Sequence, residues 1–125
     1  MSRICWQGAV QSAIKGKRGQ QFLRDLLAAL DAMPTKRLIA EELERQDGEV
    51  CAIGALGKVR GVDMSTLDPK DYEIVAKSFG IASALVREIV YENDEGCYDS
   101  ETPERRWARM RNWVARAITS TSCQD

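Results

Sequence analysis

Between Gln20 and Met33 the apolar side chains recur at helical spacing. Phe22, Leu23, Leu26, Leu27, Leu30 and Met33 cover one side of such a helix, and Pro34 stands just past its end, where a helix stops cleanly. A helix with so much of one side apolar must bury that side against another layer. The other segments supply partners of the same kind. Residues 4–14 read as a short helix, broken by Lys15-Gly16-Lys17-Arg18-Gly19. Val50 to Gly57 is apolar all round and small, which predicts a buried helix to about Arg60, ended by Gly61. Its two interior glycines cost roughly 1 kcal/mol each and let another helix approach closely.

Asp68-Pro69-Lys70-Asp71 has the composition of a helix start, with Asp68 as N-cap and Pro69 at the first helical position. Tyr72, Val75, Ala76 and Phe79 follow on one face, and Gly80 ends the run. Ile81, Ala82, Leu85, Val86 and Ile89 form the next stripe, closed by Glu92-Asn93-Asp94-Glu95-Gly96. Thr102-Pro103-Glu104 opens a last helix, with Trp107, Met110, Val114, Ala117 and Ile118 on one face. Residues 37–43 fit either a helical turn or a strand pairing with 49–53 across the turn Gln46-Asp47-Gly48. The expected fold is mainly α: a compact bundle of five to six helices, with one short hairpin as the open alternative at 37–53. A chain of 125 residues fits one domain, with residues 1–18 and 119–125 peripheral or frayed.

The sequence excludes several chemistries. There is no histidine, which removes the commonest general base near neutral pH and every Ser-His or Cys-His nucleophile pair. The four cysteines, Cys5, Cys51, Cys97 and Cys123, include no closely spaced pair for zinc. They read as buried small hydrophobes and one free thiol, Cys123. Gly54-Ala-Leu-Gly57-Lys58 hints at a phosphate loop, but Ala52 and Val59 stand where glycine and serine or threonine are needed. A calcium loop centred on Gly96 would need oxygen ligands at Tyr91 and a glutamate at Thr102. The expectation is a non-enzymatic protein with no cofactor and no metal. No long apolar run and no leader-like N-terminus occur, so the expected setting is the cytoplasm, without a membrane.

Charge is unevenly placed although the net is −1. Residues 1–37 carry +5, residues 38–104 carry −10 and residues 105–125 carry +4. Such segregation marks either a charged partner or termini that pack against the middle. The last helix carries Arg105, Arg109 and Arg116 opposite its apolar face, with Trp113 at the border. That stripe is one candidate partner surface, because guanidinium forks bind oxygen pairs and a ring can anchor. The acidic segment with Asp94, Glu95 and Asp99 is another, since it offers a basic groove the charge that phosphates do. Lys15, Lys17 and Arg18 form a candidate nucleic-acid contact, although a pI near 5.6 is low for a dedicated nucleic-acid binder.

Gly48-Glu-Val-Cys51-Ala-Ile-Gly54-Ala-Leu-Gly57-Lys-Val-Arg-Gly61 and Glu101-Thr-Pro-Glu-Arg-Arg-Trp107-Ala-Arg-Met-Arg-Asn-Trp113-Val, with the Asp68-Pro69 segment, resemble small proteins encoded by bacteriophages and prophages. The likeness covers roughly residues 18–116 and transfers no site residues. It implies a bacterial host cytoplasm and an accessory role. Small phage proteins of this kind often bind host proteins, including components of antiviral defence. The reading at this level is an inhibitor that binds a host protein or complex, with a small nucleic-acid-binding regulator as the alternative.

Overall fold

The computed structural model describes residues 3–95 and 101–118. These form six helices: α1 (Arg3–Lys15), α2 (Lys17–Ala32), α3 (Ala52–Arg60), α4 (Tyr72–Phe79), α5 (Ser83–Glu95) and α6 (Pro103–Ala117). None of them is long and apolar enough to cross a membrane. The mainly α class read from the periodic stripes is the class observed.

α2 lies at the centre, and its stripe is the core. Leu23, Leu26 and Leu30 are fully buried together with Leu85 and Ile89 of α5 and Met110 and Val114 of α6. Phe22 meets Phe79 of α4 edge to face, with ring centroids 6.1 Å apart. α6 runs antiparallel to α2. The Trp107 indole N–H donates to the Leu30 carbonyl near one end, and the Gln20 amide donates to the Ala117 carbonyl at the other.

Several boundaries differ from the sequence reading, each for a visible reason. α2 begins at Lys17, so the break after α1 is Gly16 alone. Gly19 lies inside the helix because α1 crosses it closely: a Cβ there would overlap the Ala13 carbonyl. In α3, Gly54 is approached by the extended segment at Leu43 and Gly57 by Met64 and Phe79, rather than by a helix backbone. α4 starts at Tyr72 with Asp71 as its cap, accepting from the Ile74 N–H. Asp68 instead closes a separate turn, accepting from the Lys70 N–H at 2.9 Å. The Glu92–Glu95 segment is the last turn of α5, not a loop.

Residues 37–51 take neither open form in full. The chain doubles back with hydrogen bonds from Ile39 N to Val50 O, Arg45 N to Glu49 O and Cys51 N to Leu43 O. Only one bridge, Glu44 with Val50, satisfies β geometry. The ladder is interrupted at Glu41, whose backbone is left-handed at φ 71° and whose N–H turns away to Asp94 Oδ1.

Candidate interaction surface

α6 positions most of the arginines in question. Thr102 caps it, its Oγ1 accepting from the Arg105 N–H at 3.1 Å, and Pro103 opens the first turn. One turn further on, the helix face carrying Arg106 and Arg109 turns toward the end of α5. Arg109 grips Glu101 with two bonds, Nε to Oε2 at 2.7 Å and Nη2 to Oε1 at 2.9 Å, and donates to the Glu92 carbonyl at 2.6 Å. Arg106 donates to the carbonyls of Asn93 and Leu38. Glu101 is only 7% exposed, and the Arg109 hydrogen bonds hold its carboxyl below the usual carboxylate range against the cost of burial.

Arg109 is therefore an internal staple, its guanidinium already bonded within the chain. Asp94 also bonds within the chain: its Oδ1 accepts from the Glu41 N–H and from the Asn93 amide. Glu95 is exposed at the end of α5, and Asp99 lies outside the described residues. Arg105 is exposed at the start of α6 and Arg116 near its end, so the supposed stripe is split by about 16 Å of helix.

What the structure brings together instead is the end of α6 and the junction of α1 with α2. Trp113 and Arg116 line a hollow of about 340 Å³ with Val10, Ile14 and Lys15 of α1 and Glu88 of α5. Lys17 and Arg18 line a separate depression of about 270 Å³ on the opposite side of α1, with Ser12, Ala13 and Gly16. Lys15, Lys17, Arg18 and Arg116 are all exposed and form no ion pair among the described residues. Lys17 and Arg18 open on the other side of α1, while Lys15 and Arg116, far apart in sequence, share one hollow. The buried Gln20 builds it, donating to Ile14 O at 2.7 Å and Ala117 O at 3.2 Å, and so clamping both walls to α2.

Acids gather at the other end of α2 and α6. Glu41, Glu42, Glu44 and Asp47 are exposed on the doubled-back segment, and Arg37 there bridges toward Glu49 at 3.5 Å and Glu104 at 3.7 Å. A second hollow, of about 330 Å³, opens between Met33, Val50 and Val59 beside this segment.

Cys51 is buried at the start of α3, its Sγ accepting from the Gly54 N–H, and burial pushes its thiol up to about 12. Such a thiol is neither nucleophile nor ligand at neutral pH. Cys97 and Cys123 lie outside the described residues, as does the side chain of Cys5. Among the described residues no three His, Cys, Asp or Glu side chains are grouped to hold a metal ion.

No family model, curated protein or solved structure matches this chain.

Proposed function

We propose that this chain acts by binding, without catalysis, to a host protein, and that its basic end is the contact face. The observation that carries this reading is the convergence of Lys15, Trp113 and Arg116 on one hollow, at the same end of the bundle as Lys17 and Arg18. Cations that form no ion pair among the described residues keep their charge available, whereas Arg106 and Arg109 have spent theirs on Glu101 and the carbonyls of α5. A half-buried tryptophan among arginine and lysine has the composition of a binding hot spot. The effect on the partner would be steric and electrostatic: the basic end covers an acidic functional surface and keeps its normal partner away. The resemblance to phage-encoded proteins supports the further step that the host is bacterial and the target a component of antiviral defence.

The same four cations favour a second reading, binding to nucleic acid, because phosphates answer the same charge. A tagged pull-down from phage-susceptible bacterial lysate, with and without nuclease, separates them. The wild-type chain is expected to capture one dominant host protein that survives nuclease, and a Lys15→Glu/Arg116→Glu variant to lose it with an unchanged melting temperature. Capture that vanishes on nuclease treatment selects the nucleic-acid reading. Capture indifferent to the double variant removes the basic end from the contact.

A further inference from the structure

We infer that the groove between α2 and α3 takes a second copy of this chain, in a weak two-fold dimer that leaves the basic end free. Two hollows, of about 330 and about 420 Å³, share Ala29, Ala32 and Val59 and so run together where α2 packs on α3. Ala29, Val50, Ala55 and Leu56 are buried and form the floor. Ala28, Ala32 and Pro34 are exposed on the α2 side, and Val59, common to both hollows, is 68% exposed. Among the described residues no other large apolar side chain is so exposed. Apolar side chains gathered along an apolar groove mark a contact face, which singly scattered ones do not.

Charge decides the occupant. Among the described residues the rim carries three cations, Arg37, Lys58 and Arg60, and three carboxylates, Asp25, Asp47 and Glu49. Each is already paired: Arg60 with Asp25 at 3.2 Å, Arg37 with Glu49 at 3.5 Å, Asp47 with Arg45 at 2.8 Å and Lys58 with Glu44 at 3.7 Å. A balanced rim steers neither an acidic nor a basic segment into the groove, and a strongly charged occupant would have to break these pairs. It suits a partner that is apolar at its centre and balanced at its edge, and this groove is itself such a face. Two-fold pairing needs one surface that supplies both ridge and hollow. Here Val59 is the ridge, and the hollows on either side receive the Val59 of the second copy. Ala28 and Ala32, one turn apart on the same side of α2, let the two α2 helices approach closely. Two copies of a face one helix pair wide cover on the order of 1,000 Å², the lower bound for a specific interface, so the dimer is weak. Asp25 lies about 12 Å along α2 from Lys17, so the dimer keeps two basic ends open.

The test is sedimentation velocity of the full chain from low to high micromolar concentration. The wild-type mass is expected to rise from 14.0 kDa toward twice that value. Val59→Glu should stay at 14.0 kDa throughout. At 68% exposure its carboxylate is solvated in the monomer, so its melting temperature at low concentration should match wild type. Ala32→Glu, a second exposed change in the groove, should weaken the dimer at least tenfold. Ile74→Glu, at a half-exposed apolar position of α4 outside the groove, should dimerise as wild type does, and so should Lys15→Glu/Arg116→Glu. A wild-type mass fixed at 14.0 kDa overturns the inference, and loss of host-protein capture by Val59→Glu would then give the groove to that protein. Dimers that survive both Val59→Glu and Ala32→Glu overturn it too, since the interface would lie elsewhere. The two readings fail separately: host capture indifferent to Lys15→Glu/Arg116→Glu removes the basic end and leaves the dimer standing.

Discussion

Asn93 is 1% exposed, and both polar atoms of its amide are used. Oδ1 accepts from the Ala52 N–H at 3.1 Å, and Nδ2 donates to Ile39 O at 2.9 Å, so one side chain joins α3, α5 and the doubled-back segment. Asn93→Leu leaves a buried donor and a buried acceptor unmatched, which costs about 3 kcal/mol. A melting temperature lower by roughly 10 °C is the expected result. Glu101 is the second such residue. Its carboxyl is held below 4.5 by Arg109, so its contribution is complete above that value and is lost as pH falls through the lower folded value. Glu101→Gln should cost about 2–3 kcal/mol at pH 7, and urea titrations below pH 4.5 should show the gap from wild type closing. Cys51, with its thiol at about 12, should resist alkylation at pH 8 in the folded chain and react in denaturant, as peptide mapping would show. The burial of Cys51 follows the sequence reading, whereas the roles of Asn93 and Glu101 are not legible locally. Asn93 and Glu101 stand in a charge-rich stretch that has the composition of a solvated loop, and Asn93's partners lie 41 and 54 positions away.

The helices themselves were largely legible, because each stripe is a local property of the chain. α2, α3, α5 and α6 follow the apolar spacing, and the positive-φ glycines Gly61 and Gly80 stop α3 and α4 where a left-handed residue is needed. What spacing could not show is where a helix starts when two caps compete, as at Asp68 and Asp71, or how close its neighbour comes. Two glycines in different helices make the point testable. A Cβ at Gly54 would overlap the Leu43 carbonyl, whereas one at Gly8 meets nothing. Gly54→Ala should destabilise by about 2–3 kcal/mol, as overpacking against backbone does. Gly8→Ala should instead stabilise by roughly 0.5–1 kcal/mol, the ordinary helix preference. Chemical denaturation of the two variants checks both signs. The hairpin forms only in part for a reason no propensity carries: Glu41 gives its N–H to Asp94 rather than to a strand.

At the scale of the molecule, the antiparallel packing of α2 and α6 decides which charges are neighbours. Sequence showed basic ends around an acidic middle and left open whether they pair. Both outcomes occur: Arg106, Arg109 and Arg111 are paired internally, with Glu101 and Asp31, while Lys15, Lys17, Arg18 and Arg116 collect at one end. Gln20 holds that end closed. Gln20→Met, similar in size, should loosen the last turn of α6, with faster amide exchange at Val114 to Ala117 and a loss of about 1–2 kcal/mol.

The exposed acids of residues 41–47 lie at the far end of α2, which is about 24 Å long. A chain with a net charge of −1 should be nearly indifferent to ion-exchange resins. This one presents a cationic pole and an anionic pole, and each resin meets the pole of opposite sign. Near neutral pH and at low salt it should be retained on both kinds of column. In solution the same separation gives it a dipole, tempered at the acidic end by the pairing of Glu44 with Lys58 and of Asp47 with Arg45. A charged surface would turn the molecule before touching it, so a partner would meet it already facing the right way.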